Sequence, residues 1–227
     1  MSELHTALRF PIPGGQNNVR KYWACGLPTT VGLDHTSMGD CARRVADLII
    51  ACGLIFFTLP LMAIVAAAIK WESRGPIFYR QERVGLQGAS FLVTKFRSMV
   101  ENAEDGRPLA WAAEDDARIT AVGSIIRRFR IDELPQLFNV LKGEMSMIGP
   151  RPERPYFVEQ LSAQIPGFDM RHQVKPGITG WAQINYPYGA SVEDARNKLV
   201  YDLYYINNRS LSLDLRILLT TVRVVVL

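Results

Sequence analysis

The run LIIACGLIFFTLPLMAIVAAAI, from Leu48 to Ile69, constrains the fold more than any other stretch of the chain. It holds no charged residue and is long enough to span a bilayer. A polar tail precedes it and the run is too long for a signal peptide. Thr58 and Pro60 sit in its middle, where Pro removes a ladder hydrogen bond and Thr can satisfy a freed carbonyl. Each half is about 12 residues, roughly 18 Å of helix, too short to cross a ~30 Å hydrocarbon core. Basic residues flank both ends, Arg43 and Arg44 before and Lys70 and Arg74 after, which places both ends on the cytoplasmic side. A helix-break-helix at Thr58-Leu59-Pro60, entering and leaving one face, satisfies all three facts. A simple span and a buried soluble helix are the alternatives.

The second dense stretch is RRFRIDELPQLFNVLKGEMSMIGPRP, Arg127 to Pro152. Leu134, Leu137, Phe138 and Leu141 recur at helical spacing. Asp132 reads as the N-cap, Glu133 as first turn, Pro135 as tolerated only there, and Lys142-Gly143 as the C-terminal signal. Asp132 then lies at the positive end of a helix, which favours an ionised carboxylate and equally a bound phosphate. The two anions are compatible only with cations between them, for which the neighbouring arginines and a Mg²⁺ ion are the natural source. An ionised Asp facing a charge-neutralised phosphorus can act as a nucleophile. Taken alone, Asp-Glu at a helix start is ordinary capping, so the functional reading needs the rest of the chain.

A formal net charge of +4 and a sequence pI near 9.0 suit an anionic partner. Basic residues are not interleaved with aromatics in a way that supports nucleic-acid recognition. The three cysteines, Cys25, Cys41 and Cys52, have neither disulfide-scaffold nor zinc spacing. Residues 1–38 read as a flexible tail, 39–72 as the membrane segment and 73–227 as a cytoplasmic catalytic domain with interfacial helices. Pro76 to Tyr79 and Phe91 to Val93 are β-prone runs separated by Gly85 and Gly88, a hairpin signal. Lys95-Phe96-Arg97 is a candidate anion site, with a solvated strand face as the plain alternative. Residues 101–118 read as an acidic surface loop, Thr120 to Phe129 and Tyr156 to Gln164 as helices. The stretch HQVKPGITGWAQIN reads as a shaped loop anchored by Trp181, in which Lys175 could reach an anion and His172 is structural. Ser191 caps a further helix through a box with Asp194. The terminal SLSLDLRILLTTVRVVVL is either an amphipathic helix on the membrane surface or a core helix. The fold class is α+β, predominantly helical: a monotopic membrane protein with a re-entrant N-terminal helix, a short β-hairpin and amphipathic interfacial helices.

From about residue 40 to 227 these pieces, in this order, resemble the bacterial sugar transferases of the small monotopic polyprenyl-phosphate phosphoglycosyl transferase type. The motifs that carry the resemblance are the apolar segment with its central Pro, PIFYRQERVG, KFRSM, RRFRIDELPQLFNVLKGEMSMIGPRP, KPGITGWAQIN and YDLYYINNRSLSLDL. In that family the helix breaks at a Ser-Pro pair; here Leu59 precedes Pro60, with Thr58 one further back. The resemblance implies that Asp132 attacks the β-phosphate of a UDP-sugar, forms a phosphosugar-enzyme intermediate and releases UMP. Polyprenyl (undecaprenyl) phosphate then takes the sugar phosphate, in the first membrane step of exopolysaccharide or other glycoconjugate assembly. Glu133 is implied to hold Mg²⁺ with Asp132 or to position it, and Arg127, Lys95, Arg97 and Arg151 to bind substrate phosphate, with Lys175 added from the loop reading. Implied partners are the UDP-sugar, polyprenyl phosphate, membrane lipid and downstream glycosyltransferases, with a homodimer left open. The implied location is the bacterial inner membrane, the catalytic domain on its cytoplasmic face. Larger members carry an extra N-terminal membrane domain, which is not expected here. The rival reading is a non-catalytic membrane-anchored scaffold for polysaccharide assembly, which has no need of the intact Asp-Glu-Leu, Pro-Arg-Pro and Arg127 set.

Overall fold

The computed structural model describes residues 37–101, 116–187, 189 and 191–226. The tail expected over 1–38, up to residue 36, and most of the acidic loop expected over 101–118 lie outside the described residues. Helix α1 spans Ser37–Glu72. A hairpin follows, β1 Phe78–Val84 paired antiparallel with β2 Ser90–Phe96, with Phe78 opposite Phe96 and Tyr79 opposite Lys95. Next come α2 Ala121–Arg128, α3 Gln136–Lys142, β3 Ser146–Ile148 and α4 Pro155–Gln164. The chain ends in β4 Gly177–Thr179, α5 Trp181–Asn185, α6 Val192–Asn207 and α7 Leu211–Val226. The predominantly helical α+β class, the hairpin and the Ser191–Asp194 capping box are as the sequence leads one to expect.

Helix α1 runs through Pro60 as one 36-residue helix, about 54 Å long, where the sequence reading puts a break. A single proline removes one backbone bond, and the Thr58 hydroxyl donates back to the Leu54 carbonyl at 2.7 Å instead of capping a second helix. Such back-bonding bends helices without ending them. Both ends of α1 are fixed to the rest of the protein. Arg44 donates to the carbonyls of Val140 and Leu141 at 2.7 and 2.9 Å, in the last turn of α3, where helix carbonyls run short of backbone partners. The Asp47 carboxylate accepts from the Ser146 hydroxyl and the Met147 N–H. Near the other end, Met62, Val65 and Ile69 pack with Phe96 and Ile126, and Glu72 accepts from the Val122 N–H at 3.0 Å. Between these attachments Ala51 is buried in the main core, but the middle of the helix is largely bare: Phe56 and Phe57 are 75% and 79% exposed.

The main core gathers Leu137, Val140, Met145, Phe157, Leu161, Trp181, Leu199, Leu203, Tyr205 and Ile217. At its centre lies a parallel pair, β3 with β4, in which Ser146 faces Gly177 and Ile148 faces Thr179. Local patterns gave no hint of this pair, because each strand has three residues. A side chain on Gly177 would collide with the Gly149 N–H, so glycine is required where the two backbones meet. Helix α7 has two apolar faces. Ile217 is fully buried, whereas Leu211, Leu215, Leu219 and Val222 form an outward ridge more than half exposed. The buried side matches the core-helix reading, and the exposed ridge makes the helix amphipathic.

Candidate active site

The Asp132-Glu133 pair does not cap α3. It sits in a 3₁₀ turn, Ile131–Glu133, and Pro135 takes the N-cap position of the helix. Arg130, just before the turn, is left-handed at φ 54°, a conformation costly for a residue with a Cβ and one that clusters at functional sites. The α2 helix, capped by the Thr120 hydroxyl, delivers Arg127 beside this turn.

The two carboxylates have different surroundings. Glu133 is buried, and its Oε1 accepts from Lys95 Nζ at 2.8 Å and from Arg151 Nη2 at 2.6 Å. Burial alone would raise its pKa, but the charges of Arg151 and Lys95 outweigh that and hold it well below the usual carboxylate range. The Asp132 carboxylate accepts no hydrogen bond from the described residues. Burial pushes its pKa above the ordinary aspartate value and the Glu133 charge adds to this, while Lys95, Arg127 and Arg151 pull it back. One carboxylate is thus committed to cations and the other is left available.

Strand β2 carries Lys95 and is fixed against α3 by Asn139. That buried side chain donates to the Leu92 carbonyl at 2.7 Å and accepts from the Thr94 N–H at 3.1 Å. Arg151 sits between two prolines in a loop whose carbonyls are all bonded. Pro150 accepts from the Gly177 N–H at 2.9 Å, and Arg151 from Arg171 at 2.8 Å. Pro152 accepts from Arg83 at 3.0 Å, and Glu153 from the Val84 N–H at 2.9 Å. Arg83, Asn139, Arg171 and Asp202 were not singled out by sequence reasoning. An arginine or asparagine in a helix or strand gives no local sign that it is buried against a loop from elsewhere.

Of the expected phosphate ligands, Lys95, Arg127 and Arg151 gather around the pair. Arg97 does not. It is buried, and its guanidinium donates to the carbonyls of Ser73 and Arg74 and to the Ser73 hydroxyl at 2.7 to 3.0 Å. It ties the end of α1 to the hairpin, whose ladder continues one bond past β2, from the Arg97 N–H to the Ile77 carbonyl at 2.9 Å. Lys175 lies next to Arg44 at the end of α3: a Cβ added to Gly143 would meet both cation heads, at 3.6 and 3.5 Å. His172 is kept neutral, its pKa pushed down to about 4 by burial and by the Arg171 charge, in keeping with a structural part. Replacing Arg97 by Met is expected to lower stability by about 1–3 kcal/mol, as for lost buried hydrogen bonds. Turnover per folded molecule should be retained; a thermal melt beside an assay of the folded fraction checks both.

Among the described residues no group of three or more His, Cys, Asp or Glu side chains could enclose a metal. The donors present still fit Mg²⁺, which binds through one or two carboxylates and completes its shell with water and substrate phosphate. The Asp132 carboxylate and Glu133 Oε2, neither bonded to a described residue, are oxygens of that kind.

A helix long and apolar enough to cross a membrane is attached at both ends to a body that sets an uneven carboxylate pair among lysine and arginine, an arrangement compatible with a membrane anchor beside a cationic site. The chain belongs to the bacterial sugar transferase family, whose sequence signature matches residues 38–227. It is 48% identical over 183 residues to the UDP-N-acetylgalactosamine-undecaprenyl-phosphate N-acetylgalactosaminephosphotransferase of Aeromonas hydrophila, covering 81% of this chain and 43% of that protein. It is 43% identical over 196 residues to the UDP-glucose:undecaprenyl-phosphate glucose-1-phosphate transferase of Xanthomonas campestris, covering 85% and 40%. A protein of the same name from Caulobacter vibrioides is 45% identical over 185 residues, covering 81% and 69%. The chain thus spans about two fifths of the first two relatives.

Proposed function

We propose that this protein transfers a sugar 1-phosphate from a UDP-sugar to polyprenyl phosphate through a covalent intermediate on Asp132. An oxygen of the Asp132 carboxylate attacks the phosphorus that bears the sugar. The bond from that phosphorus to the bridging oxygen breaks, and UMP leaves with the bonding electron pair. A phosphate oxygen of polyprenyl phosphate then attacks the same phosphorus, expels the Asp132 carboxylate and forms polyprenyl-diphosphate-sugar. The acyl phosphate retains the energy of the original diphosphate, so the second step regenerates a diphosphate. Lys95 and Arg151, held on Glu133, supply fixed positive charge where phosphoryl charge shifts, and Arg127 adds its field at Asp132. Mg²⁺, held by Asp132 and Glu133, would neutralise diphosphate charge when bound. The observation that carries this reading is the division between the pair: Glu133 bonded to two cations, Asp132 unbonded and beside them.

The site belongs at the cytoplasmic face of the bacterial inner membrane. Both ends of α1 bond to the same body, through Arg44 and through Glu72, while the bare apolar residues lie between. A span would set those ends apart by ~30 Å of hydrocarbon, which one polar body could not bridge. This supports a re-entrant α1 that bends at Pro60. The outward ridge of α7 and Trp71, 94% exposed, support contact with the interface. If so, Cys41 and a cysteine at Ser73 react with an impermeant thiol reagent only from the cytoplasmic side, in a background with Cys25 and Cys52 replaced by Ser. Opposite-side labelling of the two positions would require a span instead.

The reaction is tested by incubating purified protein in detergent with Mg²⁺, undecaprenyl phosphate and a panel of UDP-sugars beginning with UDP-N-acetylgalactosamine and UDP-glucose. UMP with at least one donor is expected. UDP in place of UMP would rule out phosphosugar transfer.

A further inference from the structure

The loop Gly149 to Glu153 presents a problem of support. Pro150 and Pro152 have no N–H, so the loop can build few hydrogen bonds of its own around Arg151. Its shape depends on donors from elsewhere. Two come from strand backbones, the N–H groups of Gly177 and Val84. The other two are side chains, and the one that grips Arg151 itself is Arg171. Nη2 of Arg171 donates to the Arg151 carbonyl at 2.8 Å and contacts Oδ2 of Asp202 at 2.9 Å. The side chains of this ion pair are 7% and 3% exposed. The Arg171 guanidinium also lies 5.0 Å from the centre of the Phe168 ring. Asp202 belongs to α6, in the main core, and Arg171 to the 3₁₀ segment Phe168–Gln173. The Arg151 side chain, by contrast, is 37% exposed and reaches Glu133. A rigid core element therefore reaches the backbone of the cation beside Asp132 through one guanidinium.

We propose that Arg171 is a positioning residue: oriented by Asp202, it fixes the Arg151 backbone so that the Arg151 guanidinium meets Glu133 and the substrate phosphate together. Both contacts are made by the same terminal nitrogen, Nη2; the nitrogen of a lysine at 171 falls one bond short of that position and cannot hold Asp202 and the Arg151 carbonyl together. That this positioning serves phosphosugar transfer rests on the function proposed above, whereas the positioning itself can be read without turnover.

The experiment compares the whole wild-type protein with Arg171→Lys, Arg151→Ala and the double variant in detergent. Hydrogen exchange of the Gly149 and Gly177 amides, bonded to the Thr179 and Pro150 carbonyls at the edge of the loop, is expected to rise at least severalfold in Arg171→Lys, while peptides from α3 and the hairpin stay as in wild type. UMP release is expected to fall about a hundredfold in Arg171→Lys, the scale of a misplaced catalytic group. In the double variant it should be no lower than in Arg151→Ala alone, within about twofold, because contacts acting through one group do not add. Wild-type exchange in the loop, or losses that multiply in the double variant, would overturn the proposal. So would a uniform rise in exchange, which marks general loosening. If Arg171→Lys fails to fold, Asp202→Asn takes its place, retaining a partner for Arg171 while removing the charge that orients it; the same loop-restricted rise in exchange is expected and a wild-type loop overturns the proposal. A wild-type protein that released UMP from no UDP-sugar would defeat the proposed function, and the exchange data would still decide the positioning.

Discussion

Asp132→Asn is expected to lower UMP release by about 10³-fold or more, as when a covalent nucleophile is removed, and to leave the melting temperature nearly unchanged. Both halves follow from the geometry. The Asp132 carboxylate is bonded to no described residue, so an amide of equal size removes no contact. It also removes a like charge beside Glu133, so folding is not weakened. The chemistry is lost because a neutral amide oxygen is a poor nucleophile towards phosphorus. Wild-type activity should fall in acid as Asp132 takes up its proton. Its pKa is raised from the ordinary aspartate value by burial and by Glu133, so that acid limb lies above the ordinary aspartate value of 3.8. Single-turnover UMP release across pH, read by chromatography, checks both. An Asp132→Asn variant retaining even a tenth of the activity would mean that another group attacks.

Arg151→Met carries the second largest expected effect, a fall of about 10² to 10³ in turnover, the range for one preorganised charge donor at a reacting centre. It should also destabilise the protein in a pH-dependent way. Glu133 is held well below its normal range in the fold, because Arg151 and Lys95 outweigh the cost of its burial. A carboxylate depressed in this way contributes stability that is fully present above its unfolded pKa and is lost as pH falls towards its folded value. Without Arg151 the depression shrinks, so the variant should melt well below wild type at pH 7. The gap should hold above the ordinary glutamate value of 4.5 and narrow below it, as Glu133 takes up a proton in the unfolded chain and the wild-type advantage shrinks. Melting curves from pH 7 down to about pH 3 test this, and a gap that stays constant below the ordinary glutamate value of 4.5 would show that Glu133 is not depressed by this pair. Arg151→Lys should recover part of the stability but little turnover, since an ammonium cannot replace the guanidinium fork.

Much of the molecule was open to a reader of the sequence. Charge-free apolar length marks α1, alternation and two glycines mark the hairpin, and Ser191 with Asp194 marks the start of α6. The acid pair, Arg127, Lys95 and Arg151 were visible by residue type and by their resemblance to one family. Such features depend on neighbours along the chain, where spacing is a sufficient guide to which side chains share a face.

Other features were decided only when distant segments met. Pro60 predicts a break, yet α1 continues: a proline costs about 3 kcal/mol, and contacts at both ends hold the helix across it. Asp132 looks like a helix cap, yet α3 starts later, at Gln136, with Pro135 as its N-cap. Lys95 and Arg97 look equivalent in sequence, but the fold sets the acid pair beside one and the end of α1 beside the other, so one reaches Glu133 and the other Ser73. The β3–β4 pair joins residues about thirty positions apart, as does the link from Arg171 to Asp202. Composition and local spacing determined that this chain has an apolar anchor, an acid pair and the cations to serve it. Which cation faces which oxygen was settled by tertiary packing alone, because a hydrogen bond reaches about 3 Å and only the folded backbone brings donor and acceptor that close.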